Sequence, residues 1–151
     1  MNVSVYTLLM NYITRRSWTR ALLILAVLCY IASLASPAIM TDNDGAWYGY
    51  LVLLLGWQGI FAGMFAWIAN LLFIIGLGFC LLKMNKIARI SVICAFIVSL
   101  QSFYFTSYPA YYGGTSTVEV YLSYGFYLWL SSFALLLIAT IIAPRDQVSK
   151  I

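Results

Sequence analysis

Apolar residues fall in four long blocks, at residues 21–40, 50–82, 87–105 and 121–142, and every charged residue lies outside these blocks or in the first turn of one. A helix that crosses a bilayer needs about 20 consecutive apolar residues. The pattern therefore predicts an all-α integral membrane protein with four transmembrane helices, at about residues 21–40, 65–82, 87–105 and 121–142, in a single membrane domain spanning residues 1–151. The second block is too long for one straight crossing. Its 33 uncharged residues would reach about 50 Å as one helix, against about 30 Å of hydrocarbon. Gly56, Gly59 and Gly63 interrupt its first half. The expected form is a short outer interfacial or re-entrant helix at about residues 47–59, a bend between Gly59 and Gly63, and then the second span. One long tilted helix is the alternative. Backbone groups freed at such a bend must be buried in protein or reach water.

Before the first span, Val5, Leu8, Leu9, Tyr12 and Ile13 recur at helical spacing, while Asn2, Asn11, Thr14 and Arg15 fall elsewhere on the wheel. This predicts an N-terminal amphipathic helix at about residues 3–17, anchored by Arg15, Arg16 and Trp18. A basic flank, an apolar core and Ser33-Leu34-Ala35 also fit a signal peptide, but the apolar run continues to Met40, long enough to span. Thr41-Asp42-Asn43-Asp44-Gly45 reads as a turn. Residues 107–119 read as an outer loop rich in Tyr and Gly, and the alternation over residues 115–121 allows a short extended piece.

Charge orients these elements. Arg15, Arg16 and Arg20 precede the first span, Lys83, Lys86 and Arg89 lie between the second and third, and Arg145 and Lys150 follow the fourth. The other two connections carry no Lys or Arg. Cytoplasmic loops collect Lys and Arg, so the expected placement is a multi-pass inner-membrane protein with both termini cytoplasmic. Charged residues make up 8% of the chain, against about a quarter in a soluble domain, which excludes a soluble fold. With no basic stripe or run, nucleic acid is excluded as a partner.

Reactive chemistry is scarce. The chain has no histidine, and its four carboxylates, Asp42, Asp44, Glu119 and Asp146, lie outside the predicted spans. Zinc catalysis and a Ser-His-Asp triad lack their residues. A proton-coupled carrier lacks an ionisable group at membrane depth. Asp42, Asp44 and Gly45 resemble part of a calcium loop, but Leu51 stands where its closing acid belongs. Cys29, Cys80 and Cys94 lie in apolar runs and read as small apolar residues. The expectation is no enzyme activity, no metal and no cofactor.

The polar side chains within the spans that matter most are Asn70 and Gln101. Each is expected to face the bundle interior, either making interhelical hydrogen bonds worth about 1 kcal/mol or forming a small polar site beneath an outer cap. Gly59 and Gly63 have GxxxG spacing, which suits close helix packing. Tyr48, Tyr50, Tyr104, Tyr108, Tyr111, Tyr112, Tyr121, Tyr124 and Tyr127 fall near the predicted outer face, with Trp47, Trp57, Trp67 and Trp129 at or below that level. Aromatic belts normally form at both interfaces. This one-sided loading suits either a surface that docks a protein or a lipid headgroup, or a thick belt sealing the cap onto the bilayer. Trp57, Trp67, Tyr111 and Tyr112 join Asn70 and Gln101 as candidate interaction or structural positions.

Gly56-Trp57-Gln58-Gly59, Phe65-Ala66-Trp67-Ile68-Ala69-Asn70 and Gly125-Phe126-Tyr127-Leu128-Trp129-Leu130 resemble segments of a loose set of small bacterial four-span inner-membrane proteins without assigned activity. Proline often follows the Asn in that set; here Leu71 does. The resemblance implies a bacterial inner-membrane protein and supplies no substrate or catalytic residue. The expected role is interaction, as an accessory subunit of a membrane complex or an immunity protein against a membrane-targeting toxin. Membrane lipid, another membrane or periplasmic protein, and further copies of the chain are the expected partners. The alternative is an oligomeric channel or transporter for ions or small molecules, or a lipid-handling protein.

Overall fold

No glycine or proline interrupts the chain before Pro37, and one helix, α1 (Val3–Leu34), runs through that stretch in the computed structural model. The structure describes residues 3–42, 45–109 and 117–143, and the side chains of residues 10–42, 45–61, 63–107 and 118–143. The expected amphipathic helix at 3–17 and the span from 21 are thus one element. Nothing between them breaks the hydrogen-bond ladder, and each further helical residue adds a bond at little cost. Met10, Tyr12 and Ile13 are exposed on it.

α1 ends at Leu34, earlier than the expected Met40, and the all-α expectation fails just beyond it. Proline lacks the N–H that the helix would need and disfavours helical backbone at the residue before it. The apolar residues that follow form a strand, β1 (Pro37–Thr41). It folds back antiparallel on β2 (Ala46–Tyr48), with Ile39 opposite Trp47 and Met40 opposite Ala46. The turn expected at 41–45 falls between these strands, with Asn43 and Asp44 outside the described residues, and the Thr41 N–H donates to the Gly45 carbonyl at 3.0 Å. β3 (Ser107–Pro109) and β4 (Thr117–Leu122) complete a small sheet of order β2-β1-β4-β3. β4 lies where alternation allowed an extended piece, with Val120 buried between exposed Glu119 and Tyr121.

The long second block is broken, as its glycines imply. α2 (Gly49–Leu55) passes into a 3-10 turn, Gly56–Ala62. Gly63 ends it in the left-handed region at φ 77°, a conformation that glycine adopts without a Cβ clash. The Gly63 N–H donates to the Ile60 carbonyl at 3.0 Å and the Met64 N–H to the Gly59 carbonyl at 2.9 Å, the Schellman pattern of helix ends. Residues 64–67 then lead into α3 (Ile68–Leu81). Gly59 and Gly63 therefore build a chain reversal, and the GxxxG packing role does not apply to them.

α3 turns through Lys83, at φ 60°, into α4 (Asn85–Ser99), which a 3-10 turn extends through Tyr104. α5 (Tyr124–Ile142) follows β4. α1 packs mainly along α5, α3 along α4, and α4 against α5. Their shared core is Ala26, Ala69, Phe73, Val92, Phe133 and Leu136. Small residues bring the helices close: a Cβ on Gly76 would lie 2.5 Å from Val92 Cγ2. Cys80 is buried, Cys29 half-buried and Cys94 exposed.

The molecule is mostly helical, and three helical segments are long and apolar enough to cross a membrane: Met10–Leu34, Asn85–Tyr104 and Tyr124–Ile142. α3 is shorter, with 14 residues, or about 21 Å. Charge divides between the two ends of the bundle. Asp42 and Glu119 stand at the sheet end, while Lys83 and Lys86 flank the α3–α4 turn at the other. Arg89 Nη2 donates to the Thr140 carbonyl at 2.9 Å, near the C-terminus of α5, where unpaired carbonyls and the helix dipole both favour a cation.

Candidate functional site

Asn70 lies in the first turn of α3 and is buried, with 7% of its surface exposed. An amide in that setting must find partners within the protein. Its Oδ1 accepts from the Tyr30 hydroxyl of α1 at 2.9 Å and from the Trp129 indole N–H of α5 at 2.8 Å. Its Nδ2 donates to the Trp67 carbonyl at 3.0 Å. One side chain thus joins three helices. Aromatic stacking continues from it: Tyr30 lies parallel on Phe73 at 4.8 Å, and Trp129 meets Phe133 edge-on at 4.6 Å. The expected interhelical role of Asn70 matches this geometry. No sequence feature marks Tyr30 as a partner, and Trp129 is legible only within the aromatic face and the Gly125–Leu130 segment. The one available signal was that a lone amide in an apolar block needs donors from other blocks.

Gln101 does not share a polar site with Asn70. It bridges the chain reversal instead: its Oε1 accepts from the Phe65 N–H at 2.6 Å, and its Nε2 donates to the Gly63 carbonyl at 2.8 Å. These are two of the backbone groups that the break in the second block sets free, and Gln101 satisfies both from the 3-10 extension of α4. Trp67 secures the other side. Its indole N–H donates to the Leu53 carbonyl of α2 at 2.7 Å, and its ring lies so close to Gly56 that a Cβ there would sit 3.0 Å from Cδ1. The arm formed by α2 and its 3-10 turn is held to the bundle by these side-chain-to-backbone bonds.

Beneath the arm is a partly enclosed cavity of about 350 Å³. The end of α1, the sheet, the arm and the first turns of α3 and α5 wall it. Asn70, Trp67 and Trp129 line it. Trp57 points away, exposed, and meets Phe61 edge-on at 6.2 Å. Tyr111 and Tyr112 lie outside the described residues. Tyr48, Tyr50, Tyr104, Tyr121, Tyr124 and Tyr127 are all exposed around the sheet end. Among the described residues no group of His, Cys, Asp or Glu could hold a metal ion.

At the sheet end, the titration of Tyr121 is shifted by its acidic neighbours. Its hydroxyl donates to Glu119 Oε2 at 2.8 Å. That bond, followed by the hydrogen bond and charge of Asp42, pushes the phenol up to about 12 from an ordinary 10.0. The fold favours the neutral phenol, so the contact's contribution to stability is complete below pH 10 and is lost as pH rises through about 12. Glu119→Gln should move the Tyr121 titration back toward 10.0, with Asp42 still holding it part of the way up. Ring NMR signals followed against pH would read this, and an unmoved titration would remove Glu119 as the cause.

Comparison with protein-family models, with curated proteins and with solved structures finds no match.

Proposed function

We propose that the chain is a non-enzymatic, multi-pass protein of a bacterial inner membrane, and that it acts by interaction at its sheet end. It serves as an accessory subunit of a membrane complex or as an immunity protein against a membrane-targeting toxin. The observation that carries this reading is the cap: a short sheet and a broken helix, fixed to the bundle by Gln101 and Trp67, present exposed tyrosines and tryptophans. Rigid aromatic side chains offer large contact area at low entropic cost. The reading includes four crossings with residues 65–82 as the second, an assignment that α3 and the turn bonds leading into it from Phe65, Ala66 and Trp67 support. The basic residues around the α3–α4 turn support a cytoplasmic placement of that end and of both termini.

Reporter fusions and partner capture test the two halves of the proposal. A reporter active only outside the cytoplasm should be active after Gly114 and silent at Lys150; the reverse would invert the topology. Affinity capture from native membranes in mild detergent should recover a stoichiometric protein partner. Tyr48→Ser with Trp57→Ser, and separately Tyr111→Ser with Tyr112→Ser, should reduce that recovery at normal abundance. Recovery unaffected by both pairs would remove the cap as the docking surface. A second reading, lipid handling, is favoured by one specific observation, the cavity beneath the arm.

A further inference from the structure

The arm has an unusual composition for its position. α2 is Gly-Tyr-Leu-Val-Leu-Leu-Leu, yet none of its residues is buried. Leu54 is exposed away from the cavity, while half-covered Val52 and Leu53 and exposed Leu55 line it. A helix that is apolar all round needs apolar cover on every side. Here the protein leaves that cover incomplete on the side toward the bundle.

The cavity wall is poor in available hydrogen bonds. The Trp67 indole N–H is taken by Leu53, the Trp129 indole N–H by Asn70, and the Ser33 hydroxyl by the Tyr30 carbonyl. What these residues turn to the cavity is ring and methylene surface. The side chains of Gln58 and Ser102, also on the wall, make no hydrogen bond among the described residues, and Gln58 is exposed. Water needs two to four polar partners to occupy a site well, and dry apolar cavities take up apolar molecules instead. Interiors rarely leave voids larger than a water molecule, and a volume of about 350 Å³ is within the roughly 300–1,000 Å³ of ligand-binding pockets.

We infer that this cavity holds one acyl chain of a membrane phospholipid, seated between the arm and the ends of α1, α3 and α5, with Gln58 at its open side available to donate to an ester carbonyl. The chain covers Val52 and Leu53 from within, as bilayer hydrocarbon covers Leu54 and Phe61 from outside. The inference rests on the membrane placement proposed above and is independent of any protein partner.

The test uses the full-length protein in phosphatidylcholine vesicles containing a phosphatidylcholine with a diazirine on one acyl chain. After photolysis, the crosslinked residues are mapped by mass spectrometry. Labels on Met64 and Phe105 of the cavity wall, in addition to Ile90 and Ile97 on the exposed side of α4, are expected. Val52→Phe, which fills the cavity, should lower wall labelling about tenfold, the effect of roughly 1.4 kcal/mol, while Leu54→Phe on the opposite side of the arm should leave it unchanged. Wild-type labelling at Ile90 and Ile97 without labelling of the wall would overturn the inference and leave the membrane placement intact. Labelling at none of these positions would overturn both. Wall labelling displaced by an isoprenoid alcohol but not by excess unlabelled phospholipid would overturn the assignment to an acyl chain. The wild-type map decides the matter even if Val52→Phe fails to insert.

Discussion

Replacing Asn70 with leucine is expected to destabilise the protein by about 2 kcal/mol, more than the mean value of a single hydrogen bond between membrane helices, about 0.6 kcal/mol. The difference lies in what is left behind. Asn70 Oδ1 accepts from both Tyr30 and Trp129, so the substitution strands two donors inside the bundle, and each stranded donor costs about 1–3 kcal/mol where no water can reach it. Thermal unfolding in detergent, followed by tryptophan fluorescence, would measure this. Tyr30→Phe provides the internal control. In the wild-type background it removes one bond to Asn70. In the Asn70→Leu background it removes a stranded hydroxyl, so it should cost nothing there or recover about 1 kcal/mol. Equal effects of Tyr30→Phe in both backgrounds would show that the hydroxyl and the amide are not coupled, and the three-helix junction would have to be abandoned as a source of stability.

Gly125→Ala should cost about 2 kcal/mol, although alanine is the better helix former. Gly125 opens α5 directly beside the chain that leaves α1. A Cβ there would lie 2.6 Å from the Pro37 carbonyl oxygen and 2.9 Å from that of Ser36. Both are backbone atoms, and they cannot swing aside as a side-chain tip would. Relief would require α5 to withdraw from the β1 edge, where the Ser123 N–H donates to the Ala38 carbonyl at 3.0 Å. Gly78→Ala is the matched comparison. It lies within α3, and nothing falls within 4 Å of its added Cβ, so it should gain about 0.5–1 kcal/mol from helix propensity. Opposite signs at two glycines in apolar helices would isolate the close approach as the cause. If both substitutions stabilised, the contact between α5 and the α1–β1 corner would be looser than the geometry requires.

The two positions also show which parts of this protein were legible beforehand. Asn70 announced itself, because a buried amide in an apolar block demands partners, but its sequence gave no register for the helices that supply them. Gln101 carried the same signal with a different outcome. It satisfies the backbone at Gly63 and Phe65 and does not meet Asn70, since the chain reversal freed groups of its own. Gly125 gave no warning: a glycine at the start of a span has many uses, and its role depends on Pro37 arriving from a distant part of the chain. The strand at Pro37–Thr41 is indistinguishable in sequence from the end of a span, because Ala38, Ile39 and Met40 are apolar and continue the block without a break.

The amino-acid sequence alone determined the apolar segments, the break after Gly59 and the segregation of charge, because these depend on residue type and local backbone: hydrocarbon excludes charge, and only glycine enters the left-handed region freely. Tertiary structure decided the sheet, the partners of Asn70, the bridging by Gln101 and the cavity under the arm. Strand pairing between residues 37–41 and 117–122, and hydrogen bonds joining α1, α3 and α5, are contacts between distant parts of the chain. Their energy exists only once the helices are packed, so no local pattern encodes them.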